Sequence, residues 1–229
     1  MTRLVERLRA VAFDLDGTLI DSVPDLAAAA NATLTALGRR TLADDAVAAM
    51  VGDGVDKLVE RALAAAGAAD DAVTLAAARA HFRRAYGAAL FVRSTVYPGV
   101  VEGLTALRDL RLPLACITNK ASAFTLPLLD AAGLAPAFAV TLCADDPAKR
   151  KPKPDLLLAA CAQLDVTPAA LLYVGDSAAD AEAARAAGVR FAAVEYGYGR
   201  PGGDDVEWRI ARLIDIITLQ DDAARAAAD

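Results

Sequence analysis

The chain has 229 residues, of which 56% are hydrophobic, 24% charged and 5% aromatic. That composition is ordinary for a globular protein, and the length suffices for one large domain or for a core of about 150 residues carrying a smaller one. A net charge of −6 and a pI near 4.9 exclude the basic face that a nucleic-acid partner requires, and any activity on anions would need placed cations or a metal to overcome the field of the whole chain.

In chain order, the opening segment MTRLVERLRA carries charges and lacks the apolar stretch that a signal peptide needs. Val11 to Leu15 lead an apolar run into Asp16 and Gly17, the pattern of a buried strand ending in a turn. From Ser22 the pattern becomes helical: Ser22 with Asp25 resembles a capping box, Pro24 suits a first turn, and Leu26, Ala30, Thr33, Leu34 and Leu37 share one face before Gly38. Val55, Leu58, Val59, Ala62, Leu63 and Ala66 form a second stripe, stopped by Gly67, and Phe82, Tyr86 and Ala89 suggest another. Residues 23–92 therefore read as a small helical bundle.

After Tyr97, Pro98 and Gly99, short apolar strands alternate with helices: Leu114 to Ile117, Phe138 to Leu142, Leu171 to Val174 and Phe191 to Val194. This alternation implies a parallel sheet covered on both faces. The first strand belongs with this later block, so the bundle is an insertion beside the C-terminal strand ends, where ligands gather in such sheets. The expected fold is α/β: a Rossmann-like parallel core of residues 1–22 plus 93–229, with a helical cap of residues 23–92 inserted after the first strand. The tail Asp221 to Asp229 reads as a helix end or a frayed terminus. Cys116, Cys143 and Cys161 are odd in number and far apart, and they read as small hydrophobes in a reducing compartment. The longest uncharged run, Ala131 to Ala144, is too short for a bilayer, so the expectation is a cytoplasmic protein without a membrane partner.

Chemistry-bearing residues follow the strands: Asp14, Asp16 and Thr18 after the first, Thr118, Asn119 and Lys120 after the next, then Lys151, and then Asp176, Ser177 and Asp180. Each has a bland reading as a helix cap, a turn residue or a solvated lysine. Found in order, each at a strand end or in the loop after it, they point to one site at one edge of the sheet.

The segments FDLDGTLIDS from Phe13, ITNK from Ile117, KPKP from Lys151 and VGDSAAD from Val174 resemble the four motifs of the haloacid dehalogenase superfamily of phosphatases. They frame nearly the whole chain, with the helical insertion where a helical cap sits in that superfamily. Within it, DSVPDLAAAANATLTALG, MVGDGVDKLVERAL, YPGV, TNK and EYGYG are similar to the phosphoglycolate phosphatase family.

The resemblance implies Asp14, Asp176 and the carbonyl of Asp16 as Mg²⁺ ligands, the all-oxygen set that this ion demands. A carboxylate can attack an anionic phosphoryl group only when cations screen the charge, and Asp14 would then form an aspartyl phosphate that water cleaves. Asp16, two residues on, is the natural proton shuttle between leaving group and water. Thr118 and Asn119 can hydrogen-bond phosphate oxygens, and Lys151 supplies a fixed cation; by resemblance Thr118 and Lys151 are the phosphate anchors. Asp180, one turn after Asp176, would support the metal shell or hold Lys151, or else be an exposed polar residue of a first helical turn.

Other readings stay open. Gly52, Asp53 and Gly54 precede a helix whose free amides could hold a substrate carboxylate, or they form a plain turn between cap helices. Lys57 and Arg61 add charge there or pair with Glu60 and solvent. The sole histidine, His81, reads as packing or exposed, and no role follows from the spacing of Tyr196 and Tyr198. The expected function is a magnesium-dependent phosphatase of a small anionic phosphoester, phosphoglycolate by preference, acting as monomer or homodimer. The alternatives are another small substrate such as a sugar phosphate or pyrophosphate, a phosphomutase, and a non-catalytic ligand-binding regulator.

Overall fold

The computed structural model of the protein describes residues 3–67, 72–202 and 206–220. The first strand, β1 (Ala10–Phe13), is followed by a two-residue strand, β2 (Ile20–Asp21), and four helices, α1 (Val23–Ala36), α2 (Asp44–Ala48), α3 (Val55–Ala65) and α4 (Ala72–Ala88). The chain returns through β3 (Thr95–Val96) and then alternates: α5 (Val100–Asp109), β4 (Leu114–Thr118), α6 (Ser122–Ala131), β5 (Val140–Cys143), α7 (Asp155–Leu164), β6 (Leu171–Gly175), α8 (Ala178–Ala187), β7 (Arg190–Val194) and β8 (Trp208–Ile210).

Six strands form one parallel sheet in the order β5-β4-β1-β6-β7-β8. Side chains alternate across a strand, and here both faces are apolar because both are covered. Val11, Phe13, Leu114, Cys116, Leu172, Val174 and Val194 pack on one face with Val100, Leu104 and Leu107 of α5 and Leu128 and Leu129 of α6. Ala10, Ala12, Ala115, Ile117, Leu171, Tyr173 and Ala193 pack on the other with Leu156, Leu157, Ala160 and Cys161 of α7 and Ala183, Ala184 and Ala187 of α8. The α/β fold with a parallel core is therefore as the sequence predicts.

The order of the sheet decides where a ligand can sit. From β1 the chain goes first to β4 and β5 on one side and later to β6, β7 and β8 on the other. Such a reversal opens a crevice at the C-terminal end of the central strand. Asp14 stands there, its backbone N–H donating to the carbonyl of Val174 in β6 at 2.9 Å.

The four helices between β2 and β3 bury their own cluster, in which Leu26, Leu34, Leu58, Val59, Leu63, Phe82 and Tyr86 are joined by Phe124 of α6. The predicted faces of α1, α3 and α4 are the buried ones, although Leu37, Val55 and Ala66 are only partly covered and Ala89 lies beyond α4. The two chain crossings into this unit pair with each other, Ile20 with Val96 and Asp21 with Thr95, in an antiparallel ribbon.

Several local readings are corrected. Ser22 and Asp25 form no capping box: Ser22 makes no cap hydrogen bond at α1, and its hydroxyl donates to Asp16. Asp25 instead accepts the backbone N–H groups of Val92, Arg93 and Ser94 and the Ser94 hydroxyl. Tertiary donors outcompete the local cap because Asp25 is buried and needs several partners. The strand predicted from Phe138 begins at Val140, since Ala135–Ala137 form a 3-10 turn with Pro136 in its first positions. The short elements α2, β2, β3 and β8 escaped the pattern, being too brief to show periodicity. The tail Asp221 to Asp229 lies outside the described residues.

Candidate active site

The strand ends bring Asp14, Asp16, Thr118, Asn119, Lys151, Asp176 and Asp180 together, as expected. All but Asp16 are buried. One carboxylate oxygen from each of Asp14, Asp176 and Asp180 lies within 4.8 Å of the others.

Asp180 has no lone pair to spare. Its Oδ1 accepts from Lys151 Nζ at 2.7 Å and Tyr173 Oη at 2.9 Å, and its Oδ2 accepts from the Ser177 backbone N–H at 3.0 Å and the Ser177 hydroxyl at 2.6 Å. Four contacts fill the acceptor capacity of a carboxylate. With the Ser177 hydroxyl accepting from the Asp180 N–H, they form the capping box that starts α8. Of the open readings for Asp180, holding Lys151 is the one that the geometry fits, and exposure is excluded by its complete burial. Its carboxyl is held below the usual range: burial opposes this, but Lys151 and the hydrogen bonds from Ser177 and Tyr173 outweigh it.

Asp14 and Asp176 are different. Lys151 Nζ stands 2.8 Å from Asp14 Oδ1, yet that oxygen makes no hydrogen bond among the described residues. Asp176 accepts one short bond, from the Gly199 N–H at 2.7 Å, and a long one of 3.5 Å from the Thr18 hydroxyl. Burial pushes Asp14 up to about 7, with Asp180 and Asp16 adding to the rise and Lys151 opposing it. Burial, then Asp180 and Asp14, push Asp176 up to about 8. Two buried carboxylates with spare lone pairs and too little positive charge suit a small hard cation taking oxygen ligands. That donor set fits the expected Mg²⁺.

Lys151 is held from four sides, by Asp14, Asp180, Tyr173 Oη at 2.7 Å and the Ile117 carbonyl at 3.3 Å. Burial alone would lower its pKa, but the two carboxylates raise it and keep it charged. Asn119 positions the loop that carries it: its Oδ1 accepts from the Lys151 N–H at 2.8 Å, and its Nδ2 donates to the carbonyls of Lys151 at 3.0 Å and Gly52 at 2.9 Å. Both amide hydrogens are thus used, so the expected phosphate contact through this side chain is replaced by a structural role. The Thr118 hydroxyl accepts from the Lys120 N–H at 3.2 Å and keeps its own hydrogen for another acceptor.

Asp16 lines a small cavity together with Asp14, Thr118, Asn119 and Lys120 and, from the helical unit, Leu26, Val51, Gly52, Gly54, Val55 and Leu58. Gly54 is the residue before α3 and faces this cavity, whereas Lys57 pairs with Glu60 at 2.7 Å and Arg61 bonds Asp53 and the Met50 carbonyl. His81 is half-buried against the Thr33 hydroxyl.

The sequence reading missed two things. Lys120 Nζ donates to both oxygens of Asp16, at 3.0 and 2.8 Å. The loop of Tyr196 to Gly199 presses on Asp176: a Cβ at Gly197 would stand 2.3 Å from the Asp176 Cβ, and the Tyr196 hydroxyl donates to the Thr18 carbonyl. The signals were present, a lysine two residues after Thr118 and alternating glycines after a strand, but neither spacing names a partner.

A family described as haloacid dehalogenase-like hydrolase matches residues 8–188, most of the chain and all of the residues above but the last loop. The chain belongs to the haloacid dehalogenase-like hydrolases. Among relatives in this family, a phosphoglycolate phosphatase of Nitrosospira multiformis is 46% identical over 87% of this chain and 87% of its own length. One from Escherichia coli K12 is 38% identical over 84% of this chain and 83% of its own. The solved structure of a predicted phosphoglycolate phosphatase from Haemophilus somnus 129pt superposes with a TM-score of 0.87 at 30% identity, covering 93% of this chain and 97% of that one. No helix among the described residues of this hydrolase is long and apolar enough to cross a membrane.

Proposed function

We propose that the protein is a magnesium-dependent phosphatase that hydrolyses a small phosphomonoester, 2-phosphoglycolate by preference, to glycolate and phosphate. The observation that carries the reading is the buried pair Asp14 and Asp176 beside Lys151, with Asp14 and Asp16 also lining a cavity between the strand ends and the helical unit. The named relatives support the substrate.

Asp14 and Asp176, with the Asp16 carbonyl, would hold Mg²⁺, which when bound supplies positive charge against the phosphoryl oxygens. An Asp14 oxygen attacks phosphorus, the P–O bond to the substrate breaks, and the leaving alkoxide takes a proton from the Asp16 carboxyl. Asp16 then removes a proton from water as that water attacks the aspartyl phosphate, releasing phosphate and restoring Asp14. Lys151 and the Thr118 hydroxyl bind the transferring group, with Asp180, Tyr173 and Asn119 keeping Lys151 in place. Residues 23–92 act as a cap over a core of residues 1–22 plus 93–229, excluding water while the phosphoenzyme forms. Gly54 and its neighbours close the cavity from the cap side. Three free cysteines, two of them buried, accord with a reducing cytoplasm.

Phosphate release from phosphoglycolate, sugar phosphates and pyrophosphate, with Mg²⁺ or with EDTA, tests this. We expect metal-dependent release, strongest for phosphoglycolate, and a loss of at least ~10⁴-fold in Asp14→Asn. Faster release from another ester overturns the substrate, and an isomerised sugar phosphate in place of free phosphate overturns the reaction.

A further inference from the structure

Lys120 is almost fully buried, at 4% exposure, and lines the cavity. It is the one cationic side chain among the described residues that line it. Lys151 is boxed in by Asp14, Asp180 and Tyr173, and Arg150, beside Gly54 but not among the lining residues, donates to the Asp53 carbonyl at 3.3 Å. The walls that face Lys120 from the cap, Leu26, Val51, Val55 and Leu58, are apolar. A second anionic group on a substrate would meet Lys120 as the one cationic side chain of that lining, beside the backbone at the start of α3.

An ammonium group has three N–H bonds. Asp16 accepts from Lys120 at both of its oxygens, and it also receives the Ser22 hydroxyl at 2.6 Å. The face of the Tyr86 ring lies 4.9 Å from Lys120 Nζ, and the Tyr86 hydroxyl makes no hydrogen bond among the described residues. The lysine is thus held between the proton-shuttling carboxylate and an aromatic ring of the cap, with a third N–H not taken by Asp16.

We propose that Lys120 is the specificity-determining residue of this site, reading the carboxylate of the substrate. It rests on the phosphoglycolate reading above. A carboxylate entering the cavity gives Lys120 a second acceptor, which draws the ammonium away from Asp16 and leaves Asp16 free to turn to the leaving oxygen. An ester of the same size without that negative charge leaves Asp16 clamped between Lys120 and Ser22. Selection therefore appears in kcat as well as in KM, because binding energy from the non-reacting end of the substrate is used at the reacting end.

The test compares phosphoglycolate, its carboxyl methyl ester and ethyl phosphate in the wild type and in Lys120→Met and Lys120→Arg. The wild type should favour phosphoglycolate over the two analogues that lack the carboxylate charge by about 100-fold or more in kcat/KM. Lys120→Met should bring the three within about threefold of one another, and Lys120→Arg should keep most of the preference. If Lys120 only positions Asp16, Lys120→Met slows all three substrates equally and the ratios persist, which overturns the inference while the phosphoglycolate reading stands. Equal turnover of acid and methyl ester by the wild type overturns it without any variant, should Lys120→Met fail to fold. If the wild type hydrolyses a sugar phosphate better than phosphoglycolate, the reading beneath it falls instead.

Discussion

Ser94 gives Asp25 both its backbone N–H, at 2.9 Å, and its hydroxyl, at 2.7 Å, across 69 residues of chain. Asp25 opens α1 as the chain enters the helical unit, and Ser94 closes the segment that leaves it. Together with the β2–β3 ribbon, this carboxylate ties the entrance of the insertion to its exit. Burial alone would raise its pKa, but the hydrogen bonds from Ser94, Val92 and Arg93 hold the carboxyl below its usual range.

Asp25→Ala should therefore destabilise the protein by about 3 kcal/mol, because it leaves several backbone donors without an acceptor. Urea unfolding of both proteins measures this. A loss below about 0.5 kcal/mol would mean that water replaces the carboxylate and that the tie is not structural.

The metal-free protein should lose stability as pH rises from 5 to 8. Asp14 and Asp176 keep their protons in the fold up to about 7 and about 8, whereas an unfolded aspartate releases its proton near 3.8. Between these limits the folded state binds more protons than the unfolded one, so each pH increment favours unfolding. Asp25 and Asp180 are held below the usual range and do not change charge in this window. A cation bound by the ionised pair removes the penalty. Melting temperatures at pH 5, 6.5 and 8 should fall in EDTA and stay nearly level in saturating Mg²⁺; a rise with pH in EDTA would contradict the burial of the pair.

Asp180→Asn should lower kcat by roughly 10- to 100-fold while leaving KM within a few-fold, since the carboxylate acts through Lys151 without reaching the cavity. Tyr173→Phe removes one of the contacts to Lys151 and should cost less. Steady-state kinetics on both variants decides the matter: an effect confined to KM would place Asp180 at the substrate.

Gly17→Ala should weaken Mg²⁺ activation by at least ~10-fold. Gly17 has φ +86°, and a Cβ there would lie 2.3 Å from Asp176 Oδ2, so the new methyl must push the carboxylate aside. Gly197→Ala meets the same oxygen at 2.5 Å from the opposite loop and should act in the same direction. A magnesium titration of phosphate release checks both. Unchanged half-saturation in the two variants would remove Asp176 from the metal site.

Much of this molecule is legible in the sequence because its signals are local. Apolar runs of four or five residues mark β4, β6 and β7, the stripes of α1, α3 and α4 name their buried faces, and Asp14, Lys151 and Asp176 follow strands whose ends must lie at one edge of a parallel sheet. The motif spacing brings the candidate site residues into view without any partner being known.

What only the tertiary structure decided are the pairings between residues far apart in the chain. Ser22 and Asp25 look like a local cap, yet one turns to Asp16 and the other to Ser94, since a buried carboxylate takes the largest available set of donors. Asn119 looks like a phosphate ligand, yet it spends both amide hydrogens on the backbones of Lys151 and Gly52. Lys120 and Gly197 carry no periodicity that names Asp16 or Asp176 as their neighbours. Sequence by itself marked the longer, periodic elements and the chemistry that gathers at the strand ends, but not the short elements α2, β2, β3 and β8. Packing in three dimensions decided which polar group satisfies which, because in a buried site each hydrogen bond is chosen among all donors and acceptors that the fold brings within reach.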